Sequence, residues 1–222
     1  MTGKTHRVGG MFCAFAGYYL LADKGLLMEN VEPLTQLLVI YPFAIYGSTV
    51  SDLDHNWNSA PSKDVVSYTI NKGLHLTSKL HEKEKFPLWA IFDASHRSWQ
   101  THSDLFLAIV IIAMYELLSA TTQTIDYAIL RLVFTGLILG IISHLVLDML
   151  TPEGIWSVVL VSIGKLTGMN LPKKISLVPD IKFFRTGGSW ETKVRIFLEV
   201  LCMMYLFLLI YQMLPYQIDF SI

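Results

Sequence analysis

The chain has little charge and little cysteine for its length, and both shortages narrow what it can be. Only 16% of its 222 residues are charged and 53% are hydrophobic, whereas soluble globular domains carry about 25% charged residues. The mean hydropathy is +0.47. A surface this poor in charge indicates a protein whose outer face meets lipid, and it excludes a disordered chain.

The charge that is present is balanced, with 17 basic and 18 acidic residues and a net charge of −1. No overall positive field exists to attract a nucleic-acid backbone, and no recognisable nucleic-acid-binding module is present, so we do not expect nucleic acid as a partner. The two cysteines, Cys13 and Cys202, lie far apart inside apolar runs. Their spacing fits neither a disulfide framework nor a thiolate zinc site.

The apolar residues form five segments, at about residues 8–22, 34–50, 105–119, 128–150 and 196–214. A bilayer core requires roughly 20 residues per helix, so the first and third segments span it only with their flanks. The fifth is apolar on every face, which disfavours the competing interpretation of a soluble enzyme with buried helices. We therefore expect an all-α polytopic membrane bundle of about five transmembrane helices, in a single domain over residues 1–222.

The links between these segments differ in length and charge. Two long polar links, 51–104 and 151–195, alternate with short ones and, together with the N-terminal residues, hold 15 of the 17 Lys and Arg residues. The positive-inside rule places basic links in the cytoplasm. We expect an inner (plasma) membrane protein with its N-terminus and both long links in the cytoplasm and its C-terminus outside.

Histidine and aspartate residues fall at the ends of the predicted helices. They are His6 before the first helix, Asp52, Asp54 and His55 after the second, His96 and His102 before the third, and His144 and Asp148 at the end of the fourth. Because chain direction reverses at each crossing, these ends converge on one face, which is the cytoplasmic one. Imidazole and carboxylate are ligands for zinc and also suit manganese or iron.

Two local spacings support a metal site. His144 and Asp148 are four residues apart, which places both on one face of a helix where they can hold the same ion. Asp52 and Asp54 cannot share a helix face, so we expect the chain to unwind there. A carboxylate at the C-terminal end of a helix is disfavoured by the helix dipole, which weakens helix capping as the alternative explanation.

Four motifs together resemble the YdjM-like family of membrane-bound metal-dependent hydrolases, also described as LexA-binding and inner-membrane-associated. They are residues 5–10, 51–55, 96–103 and 143–154 (Thr-His-Arg-Val-Gly-Gly, Ser-Asp-Leu-Asp-His, His-Arg-Ser-Trp-Gln-Thr-His-Ser and Ser-His-Leu-Val-Leu-Asp-Met-Leu-Thr-Pro-Glu-Gly). The chain departs from the family pattern in having Ser51 where the family has proline and in the additional Gln100. The resemblance spans most of the chain and implies a hydrolase site without fixing its substrate.

These observations define the site that we predict. The metal ligands are His6, Asp52, Asp54, His96, His102, His144 and Asp148. Arg97 and Asp54 are the catalytic candidates, although Arg97 suits headgroup anchoring equally well. Residues held in reserve around the ligands are His55, Thr101, Asp104 and Thr151, with Asp104 favoured as the cap of the third helix.

The predicted reaction is hydrolysis of a phosphoester in a phospholipid or lipid-phosphate substrate by a metal-activated water, at the cytoplasmic membrane face. Two or three divalent ions would take part, with zinc preferred over manganese or iron. Membrane lipids are the expected surroundings. Two alternatives stay open: a membrane scaffold that binds a cytoplasmic protein and holds structural metals, and a divalent-metal transporter.

Overall fold

The protein is described by a computed structural model over residues 1–25, 28, 31–54, 64–69, 71–73, 101–119, 125–178 and 186–213. The predicted all-α architecture is confirmed, and each of the five apolar segments corresponds to a helix over its described residues. The helices are α1 (Gly3–Asp23), α2 (Pro33–Val50), α3 (Asp104–Ser119), α4 (Ile125–Met149), α5 (Val158–Thr167) and α6 (Ser189–Met213).

Three of these helices are long and apolar enough to cross a membrane. The qualifying stretches are Pro33–Leu53, Tyr127–Met149 and Ser189–Gln212. They correspond to the second, fourth and fifth predicted segments. The first and third segments stay predictions as spans, since the apolar part of α3 covers only Asp104–Ala113.

The centre of the bundle is the contact between α2 and α4, with α1 packed against both. Glycines allow the two backbones to approach closely, as in many membrane helix pairs. A Cβ atom added to Gly140 would lie 2.1 Å from the main-chain oxygen of Ala44, and one added to Gly47 would lie 2.2 Å from that of Leu137. This close approach brings the C-terminal ends of α2 and α4 side by side.

The link after α4 carries more structure than its polar composition suggested. Two short strands, β1 (Ile155–Trp156) and β2 (Lys174–Ile175), pair antiparallel with Ile155 opposite Ile175. Between them lies α5. Ser157 caps the N-terminus of this helix, and Gly168, in the left-handed conformation, follows its C-terminus. The amide of Trp156 donates to the main-chain oxygen of His102 at 2.8 Å, so this link holds the residues just before α3 against the end of the bundle.

Candidate metal centre

Five of the predicted ligands meet at one end of the bundle, although they come from four separate parts of the chain. His6 lies near the start of α1, Asp52 follows α2, His102 precedes α3, and His144 and Asp148 lie in the last two turns of α4. We call these five residues the His/Asp cluster. The side chains of all but Asp52 are 1% exposed or less, and that of Asp52 is 11% exposed. The predicted convergence at helix ends is therefore confirmed.

The helix changes pitch after α2, but it does not unwind as we expected. Ser51–Asp54 forms a 3-10 helix, and this change of pitch directs the Asp52 carboxylate toward the two imidazoles of His102 and His144. The side chain of Asp54 lies outside the described part of the structure. So do His55, His96 and Arg97, and their predicted roles stay predictions.

Four atoms of the cluster have the spacing of a small-ion site. Nε2 of His102 and Nε2 of His144 are 3.1 Å apart. Oδ2 of Asp148 lies 3.5 Å and 3.4 Å from these nitrogens, and Oδ1 of Asp52 lies 3.7 Å from each. In a tetrahedral zinc site with bonds of about 2.0–2.1 Å, ligand atoms stand about 3.3–3.4 Å apart. The five measured separations bracket that value.

Hydrogen bonds at the far side of each ring orient the two imidazoles. Nδ1 of His144 is 2.7 Å from the main-chain oxygen of Ser48. A carbonyl oxygen only accepts, so Nδ1 carries the hydrogen and Nε2 of a neutral ring presents a lone pair to the cluster. Nδ1 of His102 is 2.9 Å from the hydroxyl of Thr101, which is the supporting contact expected of a metal-ligating histidine.

This arrangement suits a positive charge at its centre. Nε2 of His102 and Nε2 of His144, 3.1 Å apart, can share one proton or hold one metal ion between them. The carboxylates of Asp52 and Asp148 add negative charge beside them, which the Met1 amino group offsets in part at Asp148. Burying such groups without a compensating cation is costly. The donor set of two nitrogens and two oxygens fits a divalent ion such as zinc.

A second position adjoins the first through the other oxygen of Asp148. Oδ1 of Asp148 lies 3.5 Å from Nε2 of His6, whose ring stacks on His144 with centroids 3.8 Å apart. Among the described residues, neither ring nitrogen of His6 has a hydrogen-bond partner. The amino group of Met1 donates to Oδ1 of Asp148 at 2.9 Å. Asp148 can therefore serve two neighbouring positions, one of which has fewer protein ligands than the other.

Asp104, which we favoured as the cap of α3, makes its hydrogen bonds at the start of α5 instead. The carboxylate of Asp104 accepts from the Ser157 hydroxyl at 2.6 Å and the Val158 amide at 2.8 Å, so it caps α5. Ser103 caps α3 instead, because its hydroxyl oxygen accepts from the Phe106 amide at 3.0 Å. Asp104 thus ties the starts of α3 and α5 together and positions His102 two residues earlier.

Thr151, the remaining reserve residue, contacts the main chain of α4 at its end. Its hydroxyl donates to the main-chain oxygen of Asp148 at 2.7 Å. The Thr151 amide donates to the same oxygen at 3.0 Å, and the two bonds together hold the backbone that carries the Asp148 carboxylate. Thr151 thus supports a ligand through the backbone.

The sequence analysis missed Glu191, in the first turn of α6. One of its carboxylate oxygens accepts from the amide and hydroxyl of Thr2 and from the hydroxyl of Thr5, each at 2.6 Å. The other accepts from the Gly187 amide at 2.6 Å. These bonds fix the start of α6 to the start of α1, next to His6. The sequence signal was an acidic residue in the first turn of a helix, which alone indicates only a helix start.

A pocket of about 660 Å³ opens beside the His/Asp cluster, between the starts of α1 and α6. Of the five cluster residues, Asp52 is the one that lines it, which agrees with its greater exposure. The cluster is therefore enclosed by protein on most sides and is open toward this pocket at Asp52.

The profile of the YdjM inner membrane protein family matches residues 1–216. The chain belongs to this family. No curated protein and no solved structure matches it. Membership of the YdjM inner membrane protein family confirms the relationship that the four motifs indicated, and it agrees with the three helices that are apolar enough to span a membrane. The His/Asp groups of this family member could hold a metal ion.

Proposed function

We propose that this YdjM-family protein is a membrane-bound metal-dependent hydrolase that cleaves a phosphoester in a lipid or lipid-linked substrate. The observation that carries the proposal is the His/Asp cluster itself. It offers two adjoining cation positions that share Asp148, and it opens at Asp52 into a pocket large enough for a substrate group. Two metal positions that share a carboxylate are typical of phosphoesterases.

Divalent ions in these positions would lower the pKa of a water molecule and stabilise negative charge on a phosphoryl oxygen. Hydrolysis forms a bond between the water oxygen and phosphorus and breaks the ester bond, and a proton passes to the departing alkoxide. His102 and His144 hold their Nε2 atoms toward the first position, and His6 holds its ring toward the second. Arg97 and Asp54 stay our candidates for stabilising charge during the reaction.

The location of the cluster supports a reaction at the membrane surface. The starts of α1, α3 and α6 and the ends of α2 and α4 share one end of the bundle. Basic residues Lys4, Arg7, Lys193 and Arg195 flank the same end, and the positive-inside rule assigns it to the cytoplasm. On this basis the protein is multi-pass, with its N-terminus in the cytoplasm and its C-terminus outside, and its substrate is cleaved at the inner leaflet.

One observation favours the scaffold alternative. Both groups of possible metal ligands consist of buried residues, and a closed ligand set is typical of structural zinc. In that case the metal would stabilise a surface for a cytoplasmic protein partner. The second position, with His6 and one oxygen of Asp148, has fewer protein ligands than the first. The transporter alternative is less well supported, since a transport site lies near the bilayer midplane.

Elemental analysis of the detergent-purified protein, followed by assays on phosphatidate, other phospholipids and isoprenoid diphosphates, tests this proposal. We expect bound zinc, manganese or iron and chelator-sensitive release of the phosphate-containing product. His102→Ala should lower turnover by at least about 100-fold, because it removes a ligand from the first position. The matched control is Asp23→Asn, at an exposed carboxylate beside Lys24. Metal-loaded protein that cleaves none of these substrates, or a His102→Ala variant with unchanged turnover, would contradict the proposal.

A further inference from the structure

The pocket beside the His/Asp cluster has a distinctive set of charges. Its walls come from the first turns of α1 and α6 and include three basic side chains, Lys4, Arg7 and Arg195. Two of them come from α1 and one from α6, so the positive charge converges on the pocket from both sides. At about 660 Å³, the space is within the range of small-molecule sites, roughly 300–1,000 Å³.

Two acidic residues also line this pocket, and each already has a role. Glu191 accepts hydrogen bonds from Thr2, Thr5 and Gly187, so its carboxylate serves to join α1 to α6. Asp52 directs Oδ1 toward His102 and His144. With a divalent ion beside Asp52, the three basic side chains outweigh the remaining acidic charge and the pocket favours an anion.

The placement of Asp52 connects the pocket to the reaction. Asp52 belongs to a group of possible metal ligands with His102 and His144 and also lines the pocket. An anionic group in the pocket would therefore lie next to the ion. Arginine is suited to this task because its planar guanidinium can donate two parallel hydrogen bonds to phosphate oxygens. Among the described residues, the ion pair of Arg195 is a long contact to Glu199, at 3.6 Å.

We propose that this pocket is the phosphate-binding site of the protein, with Arg7 and Arg195 as the residues that select a phosphorylated substrate and Lys4 as a further contact. This inference rests on the proposed function for the position of the metal and names the substrate class of the same site. It assigns substrate charge recognition to α1 and α6, in addition to the Arg97 candidate. Basic residues that merely anchor the protein at lipid headgroups need no pocket, whereas these three line one.

The test uses the metal-loaded full chain in detergent and two probes, inorganic phosphate and phosphatidate in mixed micelles. Binding of each probe is measured by titration calorimetry for wild type, Arg7→Gln and Arg195→Gln. The matched control is Lys193→Gln, because Lys193 is an exposed cation at the start of α6 that does not line the pocket. Loss of one charge-assisted contact should weaken binding about tenfold or more, while Lys193→Gln should bind as wild type does.

The outcomes separate this inference from the proposed function. Weaker binding of both probes in the two arginine variants supports a site for the phosphate group itself, and weaker binding of phosphatidate alone supports a lipid headgroup as its source. Unchanged binding of both probes, or an equal loss in Lys193→Gln, overturns the inference. Phosphate binding that depends on Arg7 and Arg195 without any cleavage would leave the pocket standing and refute hydrolysis. Cleavage with an unchanged KM in both arginine variants would support hydrolysis and refute the pocket as the phosphate-binding site.

Discussion

Replacing Asp148 with Asn tests the metal hypothesis with almost no change in side-chain size. Oδ1 of Asp148 lies 3.5 Å from Nε2 of His6. Oδ2 lies 3.5 Å from Nε2 of His102 and 3.4 Å from Nε2 of His144. The amide of Asn has one oxygen and no charge, so it can occupy at most one ligand position. Asp148→Asn therefore removes the bridge between the two positions and weakens both.

The expected loss of metal affinity follows from the number of ligands. Structural zinc sites with four ligands contribute about 10–16 kcal/mol, or about 2.5–4 kcal/mol per ligand, which corresponds to about 10²- to 10³-fold in affinity. At a free zinc concentration 1,000 times the wild-type Kd, bound metal stabilises the fold by about 4 kcal/mol. After the substitution, the same zinc concentration should stabilise it by only about 0.4–1.4 kcal/mol.

Thermal unfolding of the detergent-purified protein with and without zinc measures this difference, and elemental analysis gives the metal content. The comparison between zinc and chelator matters, since breaking buried charge pairs lowers stability even without metal. Asp23→Asn, at an exposed carboxylate, should keep the full zinc-dependent shift in Tm. If Asp148→Asn also keeps that shift and its metal, the reasoning is refuted, and the carboxylate serves to balance the Met1 amino group 2.9 Å away.

Two further substitutions test the parts that position the cluster. Gly140→Ala places a Cβ atom 2.1 Å from a main-chain oxygen of α2 and should cost about 1–3 kcal/mol of stability by overpacking. At Gly73 an added Cβ would meet no tertiary neighbour within 4 Å among the described residues, so Gly73→Ala should not lower Tm, and equal Tm values for the two variants would contradict this. Thr101→Val removes the hydroxyl 2.9 Å from Nδ1 of His102 and should weaken zinc binding about 10- to 100-fold in a competition assay with a chelator dye. The control is Thr167→Val, because the hydroxyl of Thr167 donates within its own helix. Equal zinc affinity in both variants would show that the Thr101 contact does not contribute to zinc binding.

Hydrophobic run length and chain reversal were enough to predict the helices and the end of the bundle where the cluster forms. The spacing of His144 and Asp148 predicted a shared helix face, and their Nε2 and Oδ2 atoms are 3.4 Å apart. The paired carboxylates of residues 52 and 54 predicted a departure from α-helical geometry after α2, and the chain continues there as a tighter 3-10 helix that directs Asp52 into the cluster. These features depend on local geometry, which sequence spacing encodes directly.

Features that depend on contact between helices were not predictable. The hydrogen bond from His144 to the main-chain oxygen of Ser48 requires α2 and α4 to approach at Gly47 and Gly140, and a glycine in a helix does not say which helix it faces. Glu191 was missed for the same reason, since its partners Thr2 and Thr5 are more than 180 residues away. The capping of α5 by Asp104, at the start of α3, also depends on contact between helices and was not predictable.

The exposure of Asp52 bears on the choice between a hydrolase and a scaffold. A metal that only stabilises the fold is served best by ligands that are all buried, because each buried ligand excludes competing water. Here the ligands His6, His102, His144 and Asp148 are closed off, while Asp52 is 11% exposed and lines a pocket that three basic side chains also line. Such an opening would weaken a structural metal site, but it would give a substrate access to the metal ion. This combination of a closed interior and one charged entrance supports hydrolysis over a purely structural role.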